Sequence, residues 1–244
     1  MKLSAYVVSD RGRNPARPIN EDSSLVELSR GLFAVADGLG GHAAGERASR
    51  IAVETLAAMQ RDPPSPELTA EATLRAWIGV AHANIQATAD ADPQLRRMGT
   101  TLTALLFHED GAHIGHVGDS RAYLLRAGAI AQLTRDHTLA QDLVDQGMLS
   151  AAEARTSRNR HALTNVLGVD LPEPDVTALA PAPGDLFILC SDGLTEHVSD
   201  EDLAVVASSH LPSEVPQRLV DLANERGGSD NITVLLVACS ATSS

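Results

Sequence analysis

Four short apolar runs in this chain end or begin on an aspartate set among glycines or small polar residues. They are Phe33-Ala34-Val35-Ala36-Asp37-Gly38, Ile114-Gly115-His116-Val117-Gly118-Asp119, Phe187-Ile188-Leu189-Cys190-Ser191-Asp192-Gly193, and Ser229-Asp230-Asn231 leading into residues 232–237. An apolar run of this length reads as a buried strand. A carboxylate at its mouth is held at the rim of the core, where like charges need a counter-charge. Several such carboxylates converging in space would suit hard divalent cations, which prefer oxygen ligands.

Between these runs the chain alternates helix and strand patterns, but not strictly. Ile51, Leu56 and Met59 mark a helix over 46–60, and Leu68, Ala72, Trp77, Ala81 and Ile85 mark a second. The stretch Asp62-Pro63-Pro64-Ser65-Pro66 reads as a loop between them rather than a domain linker. Strands follow over 101–107, 112–117 and 122–125, the last two flanking Gly118-Asp119-Ser120-Arg121. A helical segment over 138–146 precedes the capping-box pattern Ser150-Ala151-Ala152-Glu153. Residues 155–175 carry little periodicity and two prolines, and read as a mobile loop. Ser199-Asp200-Glu201-Asp202 opens a helix to about 209, another runs over 215–226 and stops at Gly227-Gly228, and a final strand covers 232–238. This order favours α+β, with packed antiparallel sheets and helices outside, over a doubly wound parallel sheet. No repeat or low-complexity segment divides the chain, so a single domain over 1–244 is expected.

Aromatic residues are only 2%, so the core has to be built from Ala, Val, Leu and Ile. A net charge of −13 argues against non-specific binding to nucleic acid or anionic membrane. The two cysteines, Cys190 and Cys239, sit in apolar runs and read as buried thiols rather than a disulfide framework. The apolar runs are too short to span a membrane, and the N-terminus reaches Asp10 without a signal-like segment. A cytoplasmic protein is expected.

Two further motifs carry chemistry. Arg17-Pro18-Ile19-Asn20-Glu21-Asp22 puts a guanidinium, an amide and two adjacent carboxylates together. Arg can hold a phosphate through two parallel hydrogen bonds, and the carboxylates can reach a metal or its water; a solvated surface turn has the same composition. In Asp37-Gly38-Leu39-Gly40-Gly41-His42, glycines let the backbone approach closely and expose a carbonyl as a metal ligand. Its spacing departs from the dinucleotide fingerprint G-x-G-x-x-G. Taken singly, Ser191-Asp192-Gly193 and Ser229-Asp230-Asn231 are ordinary strand-end turns.

In combination these motifs resemble the bacterial branch of the PP2C-type (PPM) metal-dependent serine/threonine protein phosphatases. The resemblance runs over nearly the whole chain, through Arg17-x-x-Asn20-Glu21-Asp22, Asp37-Gly38-x-Gly40-Gly41-His42, Gly99-Thr100-Thr101, Gly118-Asp119-Ser120-Arg121, Asp136-His137, Ser191-Asp192-Gly193 and Asp230-Asn231. It implies a four-layer α-β-β-α sandwich of two antiparallel sheets flanked by helices. It implies hydrolysis of phosphoserine and phosphothreonine by a water held between two Mn²⁺ or Mg²⁺ ions, with a possible third ion. By position, Asp37 would bridge two ions and Gly38 would offer its carbonyl. Asp192 and Asp230 would complete the first ion's shell, and Glu21 and Asp22 would serve the second directly or through water. Asp119 with Asp192 would hold the third, and Arg17 the substrate phosphate. No protein nucleophile is required, so Ser191 and the cysteines have no catalytic role.

Two departures from the family pattern follow. Gly12 lies five residues before Arg17, a longer gap than in many members, which displaces the loop and makes Arg13 the alternative phosphate ligand. Where eukaryotic members carry a histidine after Asp-Gly this chain has Leu39, so His42 is the candidate general acid. His137 reads as a hydrogen-bonded structural residue and the other seven histidines as core or surface. Residues 138–175 correspond to the family's flap, where Arg155, Arg158 and Arg160 form a basic patch expected to contact phosphoprotein, Arg158 alongside Arg17. The implied partners are phosphorylated proteins, including those of an opposing bacterial Ser/Thr kinase, with no nucleic acid or membrane partner and a monomeric state. The alternatives are a phosphatase of a phosphorylated anti-anti-sigma-type regulator and a catalytically silent phosphoprotein-binding module. A structural calcium-binding protein would not need Arg17 beside the acidic cluster, and no EF-hand loop is present.

Overall fold

The last apolar run, Ile232–Ser240, is a single strand with two buried faces. Ile232, Val234 and Leu236 pack in one core cluster, while Leu235, Val237 and Cys239 point into another. Leu32–Ala36 splits in the same way, with Leu32, Ala34 and Ala36 on one side and Phe33 and Val35 on the other. A strand covered on both faces has no polar side to show, which is why these runs lack alternation.

The computed structural model describes residues 1–40, 43–61 and 68–242. Its strands are β1 (Lys2–Asp10), β2 (Ser23–Glu27), β3 (Leu32–Ala36), β4 (Gly38–Leu39), β5 (Gly99–Thr100), β6 (Leu102–His108), β7 (Gly111–Val117), β8 (Arg121–Arg126), β9 (Ala129–Gln132), β10 (Asp175–Leu179), β11 (Leu186–Cys190) and β12 (Ile232–Ser240). Its helices are α1 (Ala43–Arg61), α2 (Ala70–Ala91), α3 (Leu139–Asp145), α4 (Ala151–Thr156), α5 (Asp192–Thr195), α6 (Asp200–Ser209) and α7 (Val215–Glu225). The Pro-rich stretch Asp62–Pro66 of the sequence reading, and His42, lie outside the described residues.

Two five-stranded sheets run in the orders β1-β12-β11-β8-β9 and β10-β7-β6-β3-β2, and β4 pairs with β5. All neighbouring strands are antiparallel. Phe33, Val35, Leu105, Ile114, Phe187, Leu189, Leu235 and Val237 fill the space between the sheets. On the outer face of one sheet, Ala34, Ala36 and Ala104 meet Ala48 and Ala52 of α1 and Trp77 and Ile78 of α2. On the other, Ile188, Val234 and Leu236 meet Leu203, Leu219 and Val220 of α6 and α7. Facing alanines let α1 lie close to its sheet, as expected of a core poor in aromatics. The outcome is the α-β-β-α sandwich of two antiparallel sheets. Cys190 and Cys239 are buried free thiols.

Local signals act as expected at the helix ends. Thr69 and Thr138 cap α2 and α3, and Ser150 and Ser199 make capping boxes with Glu153 and Asp202. The stretch over 155–175 differs from a free loop. Thr138 bridges Leu163, and Thr100 bridges Leu167 with hydrogen bonds of 3.1 and 3.0 Å. Asp175 then starts β10, a half-exposed edge strand whose weak alternation hid it.

Strand register brings the acidic motifs together. Asp10 pairs with Ile232, Cys190 with both Val234 and Arg121, Ser23 with Ala36, Val35 with Thr103, and Leu102 with Val117. The ends of β1, β3, β7 and β11 and the starts of β2 and β12 therefore share one edge of the sandwich. Asp22, Asp37, Asp119, Asp192 and Asp230 follow or precede those ends.

Candidate metal centre

At that edge lies a cavity of about 400 Å³ lined by Asp37, Asp119, Asp192 and Asp230, with Arg17, His161 and Glu196 among its other walls. Glu21, Asp22 and Gly38 do not line it and are buried. Each carboxylate is fixed by local chemistry. The Asp37 N–H donates to Thr101 Oγ1 at 2.9 Å, and its carbonyl accepts from Thr101 N at 2.9 Å and Thr100 Oγ1 at 2.8 Å. Asp22 Oδ2 accepts from Thr233 Oγ1 at 2.6 Å and Ser191 Oγ at 2.7 Å. The N–H of Glu21 donates to Asn231 Oδ1 at 2.8 Å, so the motifs around Glu21 and Asp230 are joined across 210 residues of sequence.

Two glycines make this packing possible. A Cβ on Gly38 would stand 2.2 Å from the Gly45 carbonyl oxygen and 2.6 Å from that of Glu21. A Cβ on Gly45 would meet Glu21 Oε2 at 2.0 Å. The first turn of α1, the Asp-Gly corner and Glu21 are thus pressed together with room for hydrogen only.

The electrostatics are those of an acid cluster short of cations. Burial, and then the charges of Asp22, Asp192, Asp119 and Asp230, hold the Asp37 carboxyl well above the ordinary carboxylate range. Burial pushes Asp22 up to about 7 against its two hydroxyl donors, with Asp192 and Asp230 adding to the rise. Asp119 is raised by burial and by Asp192, and Asp230 by burial and Asp192 to about 6. Two like charges 4 Å apart repel by about 4 kcal/mol at an effective dielectric of roughly 20. Arg17 offsets part of this with one contact, Nη1 to Asp230 Oδ1 at 2.9 Å.

Among the described residues, two buried oxygens, Asp22 Oδ1 and Asp192 Oδ1, have no hydrogen-bond partner. Unused lone pairs on buried carboxylates are costly unless a cation takes them. An all-oxygen donor set with open lone pairs fits hard divalent ions. Asp119, Asp192 and His161 also offer donor atoms that all lie within 4.8 Å of one another.

A family model described as protein phosphatase 2C matches residues 18–226. The chain belongs to the protein phosphatase 2C family. The serine/threonine protein phosphatase PstP of Mycobacterium tuberculosis is 41% identical over 228 residues, which is 93% of this chain. The chain spans only 43% of that relative's length. The serine/threonine phosphatase stp of Listeria monocytogenes is 37% identical over 243 residues, covering 96% of this chain and 95% of the relative. A crystal structure of the Mycobacterium tuberculosis PstP superposes with a TM-score of 0.90 at 39% identity, over 99% of this chain and all of that one. A second structure, of the PstP catalytic domain in complex with two manganese ions, gives a TM-score of 0.87 at 39% identity, over 98% and 99% of the two chains.

Within this phosphatase 2C fold, several expectations change. Arg17 lines the cavity despite the longer gap after Gly12, whereas Arg13 is not among the lining residues. The flap residues that line the cavity are His161 and Leu163. His161 Nε2 is 2.9 Å from Glu196 Oε1, and its Nδ1 is 3.6 Å from Asp192 Oδ2. The nearby Asp192 carboxylate and the charge of Glu196 raise its pKa against partial burial. Arg158 is exposed and away from the cavity lining, and Arg160 faces Glu196 at 3.9 Å. Glu196 and Ser229, joined by a 2.6 Å hydrogen bond, also line the site without having been singled out. Their partners lie 33 residues apart, so no local motif announces them.

Proposed function

We propose that this chain is a metal-dependent protein phosphatase that hydrolyses phosphoserine and phosphothreonine in proteins. One observation carries the reading: Asp37, Asp119, Asp192 and Asp230, brought from four separate strand ends, line one cavity together with Arg17. The relatives' names as serine/threonine phosphatases and the two manganese ions of the PstP structure support it.

Asp37 would bridge two Mn²⁺ or Mg²⁺ ions, Asp192 and Asp230 would complete one shell, and Glu21, Asp22 and the Gly38 carbonyl would serve the other. Asp119 and Asp192 would hold a third ion. When bound, the ions supply an acidified water near neutral pH and positive charge at the phosphoryl oxygens. Arg17 would leave Asp230 to orient the phosphate through its planar fork. Asp22, pinned by Ser191 and Thr233, keeps Oδ1 pointing free. His42 remains the proposed proton donor to the leaving serine or threonine oxygen.

The proposed setting is a single catalytic domain, monomeric, in the cytoplasm, opposing a Ser/Thr kinase. No described helix is long and apolar enough to cross a membrane. The reading is tested by phosphate release from phosphoserine, phosphothreonine and phosphotyrosine peptides in Mn²⁺, Mg²⁺ or EDTA. Turnover of the first two that stops in EDTA is expected. Metal-independent turnover, or a preference for phosphotyrosine, would overturn it.

A further inference from the structure

Asp136 and His137 lie outside the cavity, yet between them they grip both sides of Asp119. The grip on the N-terminal side is reciprocal. The His137 backbone N–H donates to Gly118 O at 2.8 Å, and the Gly118 N–H donates to His137 Nδ1 at 3.1 Å. On the C-terminal side Asp136 holds Arg121 by a fork, Nε to Oδ1 at 2.8 Å and Nη2 to Oδ2 at 2.6 Å. Gly118 has φ of +108°, and a Cβ there would stand 2.5 Å from Thr101 Cγ2, so the corner holding Asp119 has little freedom of its own.

The remaining polar atoms of His137 reach the flap. Its carbonyl accepts from Thr164 N at 2.9 Å, its Nδ1 also accepts from Asn165 Nδ2 at 3.2 Å, and its Nε2 faces Asp175 Oδ2 at 3.1 Å. Because Nδ1 faces two N–H donors, it carries no proton, and the ring proton sits on Nε2 toward Asp175. The buried ring packs on His116, with centroids 4.8 Å apart. Every hydrogen-bonding atom of His137 is therefore committed, and two of them, the backbone N–H and Nδ1, fix the residue before Asp119.

We propose that Asp136-His137 is a bracket that positions Asp119 for its cation, with His137 Nδ1 as the acting atom. The proposal rests on the reading of Asp119 as a metal ligand. His137 is a positioning residue: it touches neither cavity nor substrate. Residues that orient a ligand from behind commonly change metal affinity by about 10–100-fold when replaced.

Asn and Gln separate the two ring nitrogens, since an Asn amide oxygen can stand in for Nδ1 and a Gln amide nitrogen for Nε2. The test is a Mn²⁺ titration of the purified protein, followed by the free-ion EPR signal, alongside the melting temperature. His137→Gln should weaken the weakest Mn²⁺ site about tenfold and leave the tighter sites unchanged. His137→Asn should stay within about twofold of wild type. Asn165→Ala, which removes a flap contact to the same nitrogen, should not weaken the site. Asp119→Asn sets the reference by removing it.

If Asp119→Asn loses the weak site while His137→Gln titrates like wild type, the bracket is overturned alone. If His137→Asn falls as far as His137→Gln at an unchanged melting temperature, the Nδ1 assignment is overturned. Should His137→Gln fail to fold, Asn165→Ala decides: a weakened site would trace the effect to the flap and overturn the bracket. If Asp119→Asn itself titrates like wild type, the metal reading fails and the bracket with it.

Discussion

Arg17 Nη1 stands 2.9 Å from Asp230 Oδ1, so the guanidinium proposed for phosphate and a carboxylate proposed for metal are partners in the same cavity. Arg17 is nearly half exposed on its side chain while Asp230 is not. A cation on Asp230 would displace the guanidinium and leave its fork free for a phosphate. Arg17→Lys keeps the charge but loses the two-pronged geometry. It should cost about 2 kcal/mol, roughly thirtyfold in kcat/KM, with most of the loss in KM. Steady-state kinetics on a phosphothreonine peptide checks this, and an unchanged KM would assign the phosphate to another group.

Without metal the acid cluster makes stability depend on pH. Burial and mutual repulsion raise Asp22 to about 7 and Asp230 to about 6, so the folded protein binds protons that the unfolded chain has released. Stability then falls as pH rises from the ordinary carboxylate range, about 4, to about 7. The melting temperature in EDTA should drop between pH 5 and pH 7.5, and saturating Mn²⁺ should abolish the drop, because a cation replaces the protons. An EDTA profile that is flat or rising across that range would contradict the proposed cause.

His161 and Arg158 separate two ideas about the flap. His161 lines the cavity and contacts Glu196 and Asp192, whereas Arg158 is exposed away from it. His161→Ala should reduce turnover of p-nitrophenyl phosphate by about tenfold, the scale of a lost orienting contact, and Arg158→Ala should leave it unchanged. If Arg158 meets protein substrates, its effect appears only with a phosphoprotein. Equal losses on both substrates for Arg158→Ala would contradict this placement.

Gly38 and Gly45 test the packing behind the proposed metal positions. Gly38→Ala places a methyl against two carbonyl oxygens that cannot rotate away. Overpacking of this kind costs about 1–3 kcal/mol and should appear as a lower melting temperature. Gly45→Ala meets the end of the Glu21 side chain instead. It should lower Mn²⁺ affinity more than stability, as isothermal titration against thermal unfolding would resolve.

The core and the clustered carboxylates were legible in the sequence because both depend on local pattern. Leu32–Ala36 and Ile232–Ser240 are buried on both faces, so their unbroken apolar runs announce strands, and an aspartate at each mouth is a local signal. The edge strands were harder to read. In β1, Leu3 and Ala5 pack between the sheets while Tyr6 and Val8 pack toward the helices, and their partial exposure blurs the alternation. Residues 155–175 looked structureless because their order comes from distant groups: His82 Nδ1 accepts from Gly168 N at 3.1 Å, and Gln86 Nε2 donates to Val169 O at 3.1 Å. His161 was missed for the same reason. Its role is set by Asp192 and Glu196, which reach it only through the fold.

The claim on which the rest depends is that Asp37, Asp192 and Asp230 ligate a common pair of cations. Anomalous diffraction at the manganese edge from Mn²⁺-soaked crystals tests it most directly. Two strong peaks are expected, sharing Asp37, one with Asp192 and Asp230 and the other toward Glu21, Asp22 and the Gly38 carbonyl, both absent in Asp37→Ala. Manganese bound elsewhere, or peaks that survive Asp37→Ala unchanged, would contradict the account.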